Sequence, residues 1–77
     1  MMNPKSVNLP YNYAVIDENY RCTGCGTYSY EVPLDNFIPV EVSSDEYIGK
    51  YYNPEDGLFY YEPEYINVFI LEIWLNN

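Results

Sequence analysis

The sequence predicts a small, mainly β protein. We expect an antiparallel arrangement of two hairpins, one short helical turn, and a C-terminal segment that is a strand or, as the alternative, a helix. Three observations lead there. Residues 47–62, YIGKYYNPEDGLFYYE, place aromatic residues on either side of a cluster of turn formers. Eleven of the 77 residues are tyrosine, a type that suits a pleated, half-buried surface. Earlier in the chain, short strand-like runs are separated by turn clusters and glycines.

Taken in order, residues 1–10 contain two prolines, two asparagines and little pattern, and read as an extended N-terminal arm. Residues 11–77 form a single small β domain. Residues 11–16, YNYAVI, are a first strand, Asp17-Glu18-Asn19 a turn, and residues 20–23 the returning strand. Gly24 and Gly26 interrupt the pattern and predict a bulge or bend. Residues 27–32 resume alternation, with Tyr28, Tyr30 and Val32 on one face. Residues 33–36 are a loop. Residues 37–42 form an edge or broken strand, because Pro39 cannot donate to a ladder. Ser43 and Glu46 have capping-box spacing and predict one helical turn near residues 44–48, ended by Gly49.

The main hairpin follows. Tyr51 and Tyr52 run in, Asn53-Pro54-Glu55-Asp56-Gly57 reverses the chain, and residues 58–61 run back. Pro54 presets φ, Asn53 bonds its own downstream backbone, and Gly57 supplies a left-handed residue at the exit. The last segment, residues 65–75, is ambiguous. On a helix Ile66, Phe69, Ile70 and Ile73 share a face, whereas the β-branched and aromatic content favours a strand. As a strand it is apolar on both faces, and in a chain this small the second covering layer would have to come from another chain.

Twelve carboxylates face three cations (Lys5, Arg21 and Lys50) with no histidine, for a net charge of −9. That balance argues against direct binding to nucleic acid or to an anionic membrane. It suits a solvated acidic surface, or attraction to a basic partner. The N-terminus lacks the apolar core of a signal peptide, and the longest apolar run, residues 68–71, is too short to span a bilayer. The chain is therefore expected to be soluble and made in a cytoplasm.

Cys22-Thr23-Gly24-Cys25-Gly26 is the one motif with chemical potential. Four readings stay open: plain thiols in a glycine-bent strand, which is the first choice, a local disulfide, a metal shared between subunits, or a redox pair. Structural zinc takes four ligands, and the chain offers no other Cys and no His. The paired acids Asp17/Glu18, Asp45/Glu46, Glu55/Asp56 and Glu62/Glu64 all fall in turns, where water keeps carboxylates ordinary. Without histidine no Ser-His-Asp set is possible, and no phosphate-cradling loop is present. We therefore expect no catalysis, no cofactor and no catalytic residue.

Residues 13–61 also carry a resemblance. Tyr13-Ala14-Val15-Ile16-Asp17-Glu18-Asn19, the glycine-interrupted return, and Phe37-Ile38-Pro39-Val40-Glu41 lead to Tyr47-Ile48-Gly49-Lys50-Tyr51-Tyr52-Asn53-Pro54-Glu55-Asp56-Gly57-Leu58-Phe59. This last phrase is similar to a Y-x-G-K-x-Y-(N/D)-P-x-x-G-x-F segment of small β-rich modules in tail-fibre and baseplate-associated proteins of bacteriophages that infect Firmicutes. About two thirds of the chain is covered. The cysteine pair and the apolar end, residues 68–75, lie outside the pattern. The resemblance implies a phage structural protein without catalytic residues that acts through protein partners or as a homo-oligomer. The alternative is an acidic phage-encoded inhibitor, of the anti-defence or DNA-mimic kind, that binds a basic site on a host protein. The expected contact residues are Tyr51, Tyr52, Phe59, Tyr60, Tyr61, Val68, Ile70 and Trp74, from the tyrosine-rich hairpin and the last strand.

Overall fold

A computed structural model describes residues 11–71. Within them the chain is mainly β, built as two antiparallel three-stranded sheets and one 3-10 turn. The first sheet contains β1 (Tyr11–Ile16), β2 (Cys22–Tyr28) and β3 (Phe37–Pro39), in the order β2-β1-β3. The second contains β4 (Tyr51–Asn53), β5 (Leu58–Tyr60) and β6 (Val68–Phe69), in the order β4-β5-β6.

β1 has the predicted bounds, and the turn after it is held by Asp17. Its Oδ1 accepts from the N–H groups of Asn19 (2.8 Å) and Arg21 (3.0 Å). The return differs from expectation. Tyr20 takes a positive φ of 66°, and β2 begins at Cys22 and runs through both glycines to Tyr28. The glycines are tolerated because the register shifts just before them. Ile16 opposes Cys22 while Val15 opposes Gly24, so Thr23 is the extra residue of a bulge. The strand expected over residues 27–32 stops at Tyr28, and the next residues bend over the sheet, where the Val32 N–H donates to the Tyr13 hydroxyl (3.0 Å). β3 lies at the sheet edge as Pro39 requires, and ends there rather than at residue 42.

The 3-10 turn spans Asp45–Tyr47. Its cap is Ser44, whose hydroxyl accepts from the Glu46 N–H (3.1 Å), and not Ser43. A one-residue shift toward the turn lets the hydroxyl reach that N–H directly, without the reciprocal bond of a capping box. The hairpin of β4 and β5 forms as expected. The Asn53 side chain accepts from the Glu55 N–H (2.9 Å), and the Gly57 N–H reaches the Asn53 carbonyl (2.8 Å) with φ at +76°. In the ambiguous last segment only Val68–Phe69 is strand among the described residues, and no helix forms up to Leu71.

The two sheets are stitched together at one corner. Arg21 bridges Tyr51, the Cys22 N–H donates to the Lys50 carbonyl (2.7 Å), and the Tyr52 N–H donates to the Tyr20 carbonyl (2.8 Å). This seam brings Ala14, Ile16 and Cys22 of the first sheet against Phe59 and Phe69 of the second, with Cys25, Ile38, Tyr47 and Tyr52 packed around them. Tyr47 fills the corner edge-on, its ring centroid 4.9 Å from that of Phe59 and 5.3 Å from that of Phe69.

Candidate contact surface and the cysteine pair

Strand pairing decides which side chains of the second sheet face water. Tyr52, Phe59 and Phe69 lie in one row across β4, β5 and β6, and this row faces the core. The row beside it, Tyr51, Tyr60 and Val68, therefore lies on the opposite, outer face. Leu58, two residues before Tyr60, joins the outer face, and Leu58, Val68 and, just past β6, Ile70 are exposed, Ile70 by 66%; Ile66, ahead of β6, is 69% exposed. Tyr65 partly shelters Tyr60, with ring centroids 5.3 Å apart, and its hydroxyl donates to the Tyr52 carbonyl (3.0 Å).

Of the sequence-derived contact residues, Tyr51, Tyr60, Val68 and Ile70 thus stand on or beside one exposed surface. Tyr61 is exposed on the other side, where the Lys50 ammonium lies 5.1 Å from its ring and 4.8 Å from that of Phe69. Phe59 is 5% exposed and belongs to the core, so it is not presented to a partner, while the half-buried Tyr52 packs against that core and is absent from the outer face. Trp74 lies outside the described residues. Leu58 and Ile66 were missed in the sequence. The signal for Ile66 was the period-two spacing Ile66, Val68, Ile70, whereas Leu58 was hidden inside a run of aromatics.

The hairpin loop that carries this face is tied by side chains. The Asp56 carboxylate accepts from the Leu58 N–H (2.9 Å) and from the Tyr60 hydroxyl (2.5 Å), a bond that raises the hydroxyl's pKa. Across the next turn, Glu62 accepts from the Asn67 side chain (2.6 Å) and backbone (2.9 Å). These bonds hold the Glu62 carboxyl below the usual range.

The bulge has a chemical consequence for the cysteines. Residues three apart on a regular strand point to opposite faces. Here Cys22 opposes Ile16 and Cys25 opposes Ala14, so both thiols lie on the core face. Both are free, and Cys22 is completely buried. Burial first, and then the neighbouring Cys25 sulfur, push the Cys22 thiol up to about 11, and its Sγ–H donates to the Gly24 carbonyl (3.2 Å). A thiol held so far from its ionised form is a poor nucleophile. Among the described residues no group of three or more Cys, Asp or Glu side chains is placed to hold a metal.

One groove, of about 410 Å3, opens at the junction of the sheets. Ile16, Ile38 and Tyr52 line it, together with Asp17, Tyr20 and Asp35. The sequence did not single it out, because these residues come from three separate stretches. Among the described residues no helix is long and apolar enough to cross a membrane. The chain matches no family model, and comparison with characterised proteins and with solved structures found no match.

Proposed function

We propose that the chain acts without catalysis, by contact with other protein subunits, as a structural component of a bacteriophage tail or a comparable particle. The observation that carries this reading is the outer face of the second sheet, where Leu58, Val68 and Ile70 meet water beside Tyr51 and Tyr60, with Ile66 exposed just ahead of β6. Full burial of an aliphatic side chain contributes roughly 1.5–3 kcal/mol. Four of them together are comparable to the roughly 4–15 kcal/mol that association costs. The aliphatic residues alone therefore support only a weak complex, and the flanking tyrosine rings make up the difference. The particle assignment itself rests on the resemblance of residues 13–61 to phage tail modules.

Size-exclusion with light scattering tests the contact. The wild-type chain is expected to exceed its monomer mass at high concentration, and a Val68→Lys, Ile70→Lys double variant to return to it. A clean wild-type monomer at high concentration counts against this reading.

The net charge of −9 favours a second reading, an acidic inhibitor seated in a basic site of a host protein. Such binding weakens steeply with salt, so an affinity unchanged between low and high ionic strength excludes it.

A further inference from the structure

We infer that the groove between the sheets takes the guanidinium group of an arginine side chain from a basic protein partner. The site is separate from the outer face of the second sheet and does not depend on it.

The groove joins three properties. Its floor is apolar, formed by Ile16 and Ile38 of the first sheet with Tyr52 of β4. Tyr20 lines it beside Tyr52, and the two acids Asp17 and Asp35 line it as well. The volume of about 410 Å3 falls in the range of clefts that admit a side chain or small ligand.

The rim is built rather than incidental. Asp17 spends Oδ1 on two backbone N–H groups, which fix the carboxylate's direction and leave Oδ2 for an incoming donor. The Tyr20 backbone is pinned at both ends, its N–H donating to the Asp17 carbonyl (2.9 Å) and its own carbonyl accepting from Tyr52 (2.8 Å). On the far rim, the Ile16 N–H bonds the Asn36 carbonyl (3.0 Å) and holds the Asp35-Asn36 turn against β1.

Charge selects the occupant. An anion is repelled by both aspartates and by a chain of net charge −9. A neutral apolar group would strip water from two carboxylates without replacing its hydrogen bonds. A cation satisfies them, and neither of the chain's own described cations lines the groove. Lys50 donates to the Glu46 carbonyl (2.8 Å) and sits over Tyr61 and Phe69, and the Arg21 guanidinium lies beside Gly49. Arginine fits better than lysine. Its planar group stacks on tyrosine rings while offering a fork of donors to carboxylates, and its stem covers an apolar floor.

The test is a two-dimensional amide NMR titration of the full chain with Nα-acetyl-arginine amide, with the lysine and citrulline amides as controls. Citrulline keeps the shape and loses the charge. Arginine is expected to shift residues 16–20, 35–38 and 52 selectively. Loss of a charge-assisted hydrogen bond should make citrulline weaker by about tenfold or more. Asp35→Asn and Asp17→Asn should each weaken arginine binding several-fold. Asp35 is exposed, and Asn at position 17 keeps the Oδ acceptor that holds the turn, so both variants retain the fold. Asp45→Asn should leave binding unchanged, as should the Val68→Lys, Ile70→Lys variant. The inference is overturned if citrulline or lysine binds as well as arginine, if shifts spread evenly over all the acidic turns, or if Asp35→Asn binds normally. Loss of self-association in the double-lysine variant with arginine binding intact separates this site from the contact face.

Discussion

The first sheet is covered on both faces and the second on only one. In the first, Ala14, Ile16, Cys22 and Cys25 face the shared core, while Tyr13, Tyr28 and Phe37 cover the other side. Those three ring centroids lie 5.7–6.0 Å apart, and Tyr13 is 4% exposed. The chain supplies this second layer itself, from β2, β3 and the bend that brings Val32 onto the Tyr13 hydroxyl. The second sheet has Phe59 and Phe69 inside, and aliphatic side chains in water outside. Two sheets of equal strand number thus differ in what finishes them. A sheet left with one apolar face is at risk of unwanted association unless association is its function.

The most severe way to probe the contrast is Phe59→Ala. Phe59 touches Tyr47 and Tyr52 through its ring and Phe69 through strand pairing, so its removal empties the point where the sheets meet. The expected cost is about 3–5 kcal/mol. In a chain of 77 residues that is most of the stability available. Thermal melts followed by circular dichroism should show no cooperative transition. A melt close to wild type would mean that the inner row is not the shared core.

The next effect is a loss of stability in alkali that originates on the first-sheet side of that core. The Cys22 thiol moves from about 9 in the unfolded chain to about 11 in the fold, chiefly through burial. Between those values the unfolded chain releases a proton that the native chain keeps. The contribution is therefore complete below about pH 9 and is lost as pH rises toward about 11. The shift corresponds to about 2–3 kcal/mol. Tyr47, also raised by burial and then by the Cys25 thiol, adds to the same limb. Denaturant titrations in reducing buffer at neutral and high pH measure it, and Cys22→Ala should flatten the pH dependence. An equally steep limb in that variant would assign the loss to the tyrosines alone.

How far these features were legible depends on whether their cause is local. The hairpin loop was readable because Asn53, Pro54 and Gly57 each act within a few residues of themselves. β1 and the edge position of β3 followed from alternation and from Pro39 in the same way. The end of β2 was not readable. Gly24 and Gly26 look like breaks, yet strand pairing with β1 and the Tyr28 ring, which lies where a Cβ on Gly26 would sit at 3.0 Å from its Cε1, carry the strand through them. The shared face of the cysteines depends on the bulge at Thr23, and so on a partner strand that the local pattern does not contain. The contact surface was half legible: aromatic content marked the hairpin, but only strand pairing distinguishes buried Phe59 from its neighbour Tyr60.

A smaller effect tests whether the second sheet depends on its loop. Gly57 has φ +76° and open space where a Cβ would stand. Gly57→Ala therefore isolates the conformational cost, about 1–2 kcal/mol, from any clash. Gly24 also has open space, but its φ is not positive, so Gly24→Ala should be neutral or slightly stabilising. Equal losses in the two variants would show that the first sheet is no more robust than the second.

The smallest expected change in stability is the most informative about function. Val68→Lys replaces an exposed valine in the short strand β6, at the edge of the second sheet. Opposite it stands Tyr60, whose hydroxyl is already committed to Asp56. Nothing in the interior loses a contact, so stability should move by no more than about 0.5 kcal/mol. If the outer face is only surplus apolar surface, light scattering should change as little as the melt does. If it is a contact face, a lysine ammonium must be desolvated at its centre, and association should fall by orders of magnitude while the monomer melts as before. A large stability loss would instead show that the face is covered from within the chain, and the asymmetry between the two sheets would disappear.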